Sequence, residues 1–185
     1  MKKYEDDILS LEIPTINHKA DAISFIHEMV IACQDINGTG GLDGAKSYEE
    51  WLKDWEKYNT LEFSGYESET YVPAITFFVT RKTDNRIIGM LNIRKFLNKR
   101  LDATQGGNIG YSVRPSEQKK GYGKRLMKLA VEYCIEELGH NIIRAGCKEL
   151  NIGSKKIIES VGMKEIERNE AIITHLYYEL NQEKK

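Results

Sequence analysis

Residues 109–126 change from a strand pattern to a helix pattern at a pair of glycines. Residues 109–113 are typical of a short β-strand, Pro115 marks a turn, and an amphipathic pattern begins after Gly121. The first turn of a helix has unpaired backbone N–H groups and partial positive charge, so it can bind a diphosphate. Gly121 and Gly123 carry no side chain that would cover the backbone. The stretch therefore predicts a phosphate-binding loop between a strand and a helix.

Two well-known phosphate-binding patterns do not fit this loop. The P-loop pattern requires a glycine where this chain has Gln118, and a Ser or Thr where it has Arg125. The dinucleotide-binding pattern fails because Leu126 occupies the place of its third glycine. The pattern that fits is Gln-x-x-Gly-x-Gly, from Gln118 to Gly123, after a strand that ends in Val-x-Pro.

This pattern resembles the coenzyme A loop of the GCN5-related N-acetyltransferases (GNAT), and the arrangement of the first seventy residues resembles a bacterial subgroup of predicted acetyltransferases. A second segment is similar to the asparagine-helix signature of that family, with Asn151 and Ser154 at the start of a short helix and Gly162 at its end. The resemblance covers residues 74–180. It implies an α+β fold with a mixed sheet of about six to seven strands and about four flanking helices.

The resemblance also implies the co-substrate and the residues that hold it. Acetyl-CoA is the expected co-substrate, and no metal is expected. In the family, the loop amides surround the pyrophosphate, and backbone N–H groups at a splayed end of the fourth strand hold the thioester and the pantetheine arm. The residues assigned to acetyl-CoA are Tyr111, Ser112, Val113, Gln118, Lys119, Lys120, Gly121, Tyr122, Gly123, Lys124, Asn151 and Ser154.

The expected reaction is direct attack of a primary amine on the thioester in a ternary complex. The family's usual proton donor, a Tyr seven positions after the Asn, is replaced here by Ile158. Its usual basic Glu, a few residues before the Asn, is also missing from residues 145–147. The replacement candidates are Glu149 and the adjacent Tyr177 and Tyr178, which point to opposite faces of a strand. Replacement by a Cys or by solvent also stays open.

Two other functions fit the same residues. One is a transferase of a longer acyl group. The other is a catalytically silent module that binds coenzyme A as a sensor or as a docking domain. The missing Tyr and Glu favour this second alternative.

The charge distribution is uneven along a chain that has 27 basic and 28 acidic residues. Residues 114–128 carry a net charge of +5, which would attract the phosphates of coenzyme A. Residues 35–70 carry a net charge of −6. The resemblance implies that the segment between the first two strands lines the acceptor cleft, so this charge favours a cationic acceptor such as a polyamine, an aminoglycoside or a lysine side chain. The basic residues are Arg114, Lys119, Lys120, Lys124, Arg125 and Lys128.

Composition limits the remaining function classes. The overall charge balance argues against nucleic-acid binding. No run approaches the ~20 apolar residues of a membrane span, and no signal core is visible, so a cytoplasmic location is expected. The three cysteines have no metal-ligand spacing. We expect one domain over residues 1–185, with acceptor-side helices in residues 1–70, as a monomer or a homodimer.

Periodicity predicts the other elements. A strand, a helix and a strand follow one another around the glycine loop, so we expect the two strands to pair in parallel. The further predictions are a strand over 8–13, helices over 21–33 and from Ser47, a hairpin of 74–80 with 86–96, a strand over 141–147, a helix over 154–161, and strands over 163–166 and 171–180.

Overall fold

The structure is a computed structural model that describes residues 2–59, 72–98, 107–169 and 174–182. The α+β fold is confirmed, with seven strands and four helices in the described part of the chain. In chain order these are β1 (Leu9–Glu12), α1 (Lys19–Ile31), α2 (Tyr48–Asn59), β2 (Ala74–Arg81), β3 (Arg86–Arg94), β4 (Ile109–Val113), α3 (Tyr122–Glu136), β5 (Ile142–Lys148), α4 (Ile152–Glu159), β6 (Lys164–Asn169) and β7 (His175–Asn181).

The strands form two antiparallel sheets. One sheet has the order β1-β2-β3-β4, and the other has the order β5-β7-β6. The predicted hairpin of β2 and β3 is confirmed, with Phe78 opposite Met90 in the register. The predicted second helix begins after Ser47, whose hydroxyl accepts a hydrogen bond from the backbone N–H of Glu50 at 3.1 Å.

Helices cover both faces of the four-stranded sheet. Adjacent residues of β2 show this alternation, because side chains of a strand point to opposite faces in turn. Phe77 packs edge-on against Tyr133 of α3, with ring centroids 5.0 Å apart. Phe78 stacks on Trp51 of α2 at 5.8 Å. The core of the domain therefore lies on both sides of the two central strands.

The prediction that β4 and β5 form a parallel pair is wrong. Strand pairing among the described residues is antiparallel throughout, and β4 and β5 belong to different sheets. The two strands meet at their beginnings, where Asn108 N donates to Arg144 O at 2.7 Å. A Cβ on Gly107 would lie 2.6 Å from that carbonyl oxygen, so glycine permits this close approach. Beyond it the strands leave a split between the sheets.

Candidate active site

The backbone of β4 presents alternate residues to the split. Arg114 N donates to Ile88 O of β3 at 2.8 Å, and in an antiparallel pair every second residue bonds to the same neighbour. The backbone of Ser112 therefore faces β3, while the backbone groups of Tyr111 and Val113 face the split. Of the three predicted thioester-binding residues, two direct their N–H groups into it.

The opposite wall of the split is β5. Glu149 N, just past this strand, donates to Thr174 O before β7 at 2.8 Å. The same alternation then directs the backbone of Gly146 and Lys148 away from β7 and toward β4. Backbone donors and acceptors of two strands thus line the split on both sides, and they could pair with an extended ligand as a further strand would.

The glycine loop lies at the end of β4 and opens into α3. Lys119 (φ 61°) and Gly121 (φ 86°) both adopt the left-handed conformation. The backbone N–H groups of residues 119–123 donate no hydrogen bond to any described residue. A Cβ on Gly121 would meet no atom within 4 Å, so the space over the loop is open. This arrangement can bind an anion through main-chain donors.

Gly123 also has a packing role, which was not predicted from the sequence. It is buried, and a Cβ there would contact Ile157 of α4, with 3.1 Å to Cγ1 of that residue and 3.6 Å to Val113 Cγ2. Gly123 therefore allows α3 to pack closely on α4 and β4. The residue between the two glycines, Tyr122, accepts a hydrogen bond from Arg81 Nη1 at 3.2 Å through its hydroxyl.

Gln118 fixes the start of the loop. Its Nε2 atom donates to Val113 O at 3.0 Å and to Gln34 Oε1 at 2.6 Å. The first bond holds the end of β4, and the second connects the loop to the segment after α1. Gln118 thereby orients the loop through its side chain, while the backbone amides of residues 119–123 are left without a partner in the described part of the chain.

Arg114 does not belong to a phosphate-binding patch, contrary to the sequence prediction. Its side chain is 1% exposed. It pairs with Asp21 at 2.6 Å and with Glu28 at 3.2 Å, both on α1, and it donates to Ile87 O at 2.7 Å. These partners lie far away in the sequence, so the charge count along residues 114–128 could not include them.

Two more of the basic residues are engaged in ion pairs. Lys120 pairs with the buried Glu117 at 2.9 Å, and Arg125 pairs with Asp6 at 2.7 Å. Glu117 is already part of the net charge of +5, whereas the pairs of Arg114 and Arg125 with acids outside this stretch lower the charge that is available around the loop. The basic side chains of this region that are exposed and have no ion pair with a described residue are Lys119, Lys124 and Lys128.

Polar side chains from three elements meet beside the split. The hydroxyl of Tyr111 on β4 lies 2.8 Å from Ser154 Oγ on α4. The thiol of Cys147 on β5 lies close enough to Ser154 for that hydroxyl to act on its pKa, which it lowers. Burial raises the pKa of Tyr111 to about 12, although the bond to Ser154 works in the opposite direction. Burial likewise raises the pKa of Cys147.

Asn151 is the N-cap of α4. Its Oδ1 atom accepts a hydrogen bond from Ser154 N at 3.0 Å. The Nδ2 group of Asn151 donates to no described residue, and the side chain is exposed. The cap and a contact with a ligand are compatible, because they use different atoms.

The structure does not bring the three predicted catalytic residues together. Tyr177 and Tyr178 are 2% and 1% exposed, and the register places them opposite Gly146 and Ala145, on opposite faces of β7. The Tyr178 hydroxyl is buried without a partner in the described ranges, and burial raises the pKa of Tyr178 to about 12. Glu149 lies in a turn and forms an ion pair with Arg168 of β6.

A segment that sequence reasoning missed crosses the split on the face opposite α3. We call residues 34–38 the strap. Asn37 N donates to Ser112 Oγ at 2.8 Å, and a Cβ on Gly38 would lie 2.6 Å from Gly110 O, so the strap contacts β4 directly. Asp35 forms an ion pair with Lys148 on β5. The glycines after α1 were a signal for this close approach, but they do not identify the partner.

The acidic residues between positions 35 and 70 are not all available to a cationic ligand. Asp35 and Glu49 are used in ion pairs with Lys148 and Lys19. Glu62, Glu67 and Glu69 lie outside the described residues. The acidic side chains of α2 that remain exposed are Glu50, Asp54 and Glu56.

The described residues offer neither a metal site nor a helix that could span a membrane. No group of three or more His, Cys, Asp or Glu residues in these ranges could hold a metal ion. None of the described helices is both long enough and apolar enough to cross a bilayer.

Comparison with known proteins gives one curated relative and many similar structures. "Probable N-acetyltransferase YjcK" of Bacillus subtilis (strain 168) is 29% identical over 86 residues, 46% of each chain, so the chain spans about half the length of this relative. Two solved structures share the fold at low identity. They are RimL, a ribosomal-protein acetyltransferase in complex with coenzyme A (14% identity, 97% of this chain and 98% of that one, TM-score 0.67), and the spermidine/spermine N-acetyltransferase SpeG of Vibrio cholerae (15%, 97% and 96%, TM-score 0.63).

The model of one protein family covers most of the chain. It is described as the acetyltransferase (GNAT) domain, and it matches residues 19–164. This range includes α1, the glycine loop, both walls of the split and the capped helix α4. The chain therefore belongs to the GNAT acetyltransferase family.

Proposed function

We propose that this protein is an N-acetyltransferase that moves the acetyl group of acetyl-CoA to a primary amine. The observation that carries this proposal is the row of backbone N–H groups at residues 119–123, which have no partner among the described residues and lie at the end of the strand that lines the split. A diphosphate on this row would leave the pantetheine arm at the mouth of the split. The family uses acetyl-CoA, and RimL is a relative solved with coenzyme A.

The residues around the split supply the other contacts of this proposal. The pantetheine amides would pair with the backbone of Tyr111, Val113 and Gly146, as an added strand does. The Nδ2 group of Asn151 is a further donor for the same arm. Lys119, Lys124 and Lys128 supply positive charge for the phosphates.

The reaction we propose is direct attack by the amine nitrogen on the thioester carbon. An alkylammonium with a pKa near ~10.4 is mostly protonated at neutral pH, so it must first lose a proton, which water can accept. The backbone N–H groups of Tyr111 and Val113 can stabilise the oxyanion that forms. The C–S bond then breaks, the electron pair stays on sulfur, and coenzyme A leaves. Holding both substrates in the split would supply much of the rate.

For the acceptor we propose a cationic amine that enters from the face of the strap. The acidic balance of residues 35–70 supports a cation, and the exposed acids of α2 lie within this segment. SpeG, which shares the fold, is named for two polyamines. Measuring thiol release with polyamines, aminoglycosides, lysine peptides and neutral amines tests this part, and a preference for neutral or acidic amines would contradict it.

Calorimetry with acetyl-CoA tests the cofactor site. Dephospho-CoA and ATP serve as comparison ligands, and Gly121→Asn is the loop variant. Asparagine tolerates the left-handed conformation of residue 121 and places a side chain in the open space over the amides. We expect micromolar binding that weakens without the 3′-phosphate and is largely lost in the variant. No binding, or equal binding of ATP, would refute the proposal.

The second candidate is a catalytically silent coenzyme A sensor. It is favoured by Ile158, which is fully buried at the place of the usual proton donor, and by the ion pair that engages Glu149. Steady-state thiol release separates the two functions. An enzyme discharges acetyl-CoA faster when the acceptor is present, whereas a sensor binds acetyl-CoA without this acceleration.

A further inference from the structure

A leaving thiolate needs a hydrogen-bond donor, and the usual position cannot supply one. Ile158 has an apolar side chain with 0% exposure. We propose that the hydroxyl of Tyr111 donates a hydrogen bond to the departing sulfur of coenzyme A, and that Ser154 holds this hydroxyl in place. The inference rests on the proposed transferase function and adds a catalytic residue to it.

The position of Tyr111 carries the inference. Its backbone faces the split. Its side chain lies on the face of β4 that α3 and α4 cover, because Val113, two residues further along the strand, approaches Gly123 of α3 on that face. The contact of 2.8 Å between Tyr111 Oη and Ser154 Oγ joins β4 to the helix that follows β5. It therefore spans the split in which the pantetheine arm would lie.

The third member of the cluster comes from the other wall of the split. Cys147 comes from β5, and the Ser154 hydroxyl lies close enough to its thiol to act on the pKa of that thiol, which it lowers. Groups from β4, β5 and α4 thus converge where the two walls of the split and the capped helix meet. A thioester in the split would lie between the hydroxyl from one wall and the thiol from the other.

The acidity of Tyr111 determines what it can do. With a pKa of about 12, its hydroxyl stays protonated at neutral pH. A thiol has a pKa near ~8.5, so a thiolate is too weak a base to remove this proton completely. Tyr111 therefore stabilises the thiolate as a donor and keeps its proton. The proton lost by the amine neutralises the sulfur later through water, so the reaction balances without another reactant.

Tyr178 is the competing donor. Its hydroxyl is buried and lacks a partner in the described ranges. Tyr178 lies opposite Ala145 of β5, and Ala145 and Cys147 are alternate residues of that strand. The side chain of Tyr178 is therefore on the same face of the sheet as Cys147. However, β7 lies behind β5 with respect to the split, whereas Tyr111 is on the wall itself. The experiment therefore includes both tyrosines.

The test compares Tyr111→Phe with Tyr178→Phe and with Tyr133→Phe. Tyr133 is a matched control, because it is also buried and its pKa is also raised to about 12, but it packs in the core between α3 and β2. The readouts are kcat with the best amine of the panel, the Kd of acetyl-CoA by calorimetry, and the pH profile. Tyr111→Phe should lower kcat about 10- to 100-fold with little change in Kd.

A fluorinated tyrosine at position 111 separates a catalytic role of the hydroxyl from a packing role, because it changes the acidity of the phenol and keeps the ring. Its phenol is more acidic, so it should restore kcat and shift the alkaline decline of the pH profile to lower pH. Full activity of Tyr111→Phe, a loss of kcat in Tyr178→Phe instead, or equal losses in kcat and affinity would each overturn the inference. A wild-type protein without thiol release would refute the proposed function itself, and the inference with it.

Discussion

The side-chain amides of Gln34 and Gln118 bond to each other in both directions. Gln118 Nε2 donates to Gln34 Oε1 at 2.6 Å, and Gln34 Nε2 donates to Gln118 Oε1 at 3.3 Å. The second proton of Gln118 Nε2 goes to Val113 O. The first residue of the strap and the first residue of the glycine loop thus form one unit, which joins the proposed acceptor face of the split to the proposed cofactor site.

Gln34→Ala should weaken acetyl-CoA binding about two- to tenfold, because the loop loses a support worth about one hydrogen bond. Calorimetry on Gln34→Ala, Gln118→Ala and the double variant gives the coupling energy, for which we expect about 0.5–1.5 kcal/mol. Gln182→Ala, after β7 at the other end of the sheet, is the control. Additive effects of the two substitutions would show that the pair does not support the loop.

The two glycines of the loop should respond in opposite ways. Gly123→Val forces a side chain against Ile157 and Val113, so we expect the free energy of unfolding to fall by about 1–3 kcal/mol. Gly121→Asn should leave the free energy of unfolding nearly unchanged while acetyl-CoA binding is lost. Thermal unfolding and calorimetry on both variants check this. A stable Gly123→Val protein with intact helix packing would contradict the packing role.

Elements defined by local patterns were predictable from the sequence. The β2–β3 hairpin has two runs of β-branched and aromatic residues around a turn, and α3 has a regular apolar face after Gly121. The strand–loop–helix order at residues 109–126 is also local. The structure confirms these elements within one or two residues at most ends, because periodicity and turn residues determine them without help from distant parts of the chain.

Features that depend on distant contacts were not predictable. The basic count around the loop missed Asp21, Glu28 and Asp6, which neutralise Arg114 and Arg125 from the first part of the chain. The split arises because β4 and β5 each have one antiparallel partner in a different sheet. Nothing in a run of residues records which edge of a strand stays unpaired. The Tyr111–Ser154 contact has the same origin.

Asn151 should separate cap stability from ligand binding. Asn151→Ser keeps a capping oxygen for the backbone of α4, whereas Asn151→Ala removes it at a cost of about 1 kcal/mol in the free energy of unfolding. Both variants lose the Nδ2 donor, so both should bind acetyl-CoA about two- to tenfold more weakly. Chemical denaturation and calorimetry measure the two effects. Wild-type affinity in Asn151→Ser would show that Nδ2 makes no contact with the ligand.

The ion pairs of Glu117 should make stability depend on pH in the acid range. Burial alone would raise the pKa of this glutamate, but hydrogen bonds from Lys120 and Arg81 outweigh it, so the pKa is lowered in the folded protein. A group with a lowered pKa stabilises the fold above the unfolded-state value of about 4.3, and this contribution is lost as the pH falls through the folded pKa. Glu117→Gln should therefore be less stable than wild type at pH 7, and the difference should shrink below about pH 4.

Unfolding curves from pH 7 to pH 2.5 measure this difference in the free energy of unfolding. The control is Glu132→Gln, which changes an exposed glutamate of α3. A difference that stays constant over this range would mean that Glu117 contributes by packing rather than by its charge.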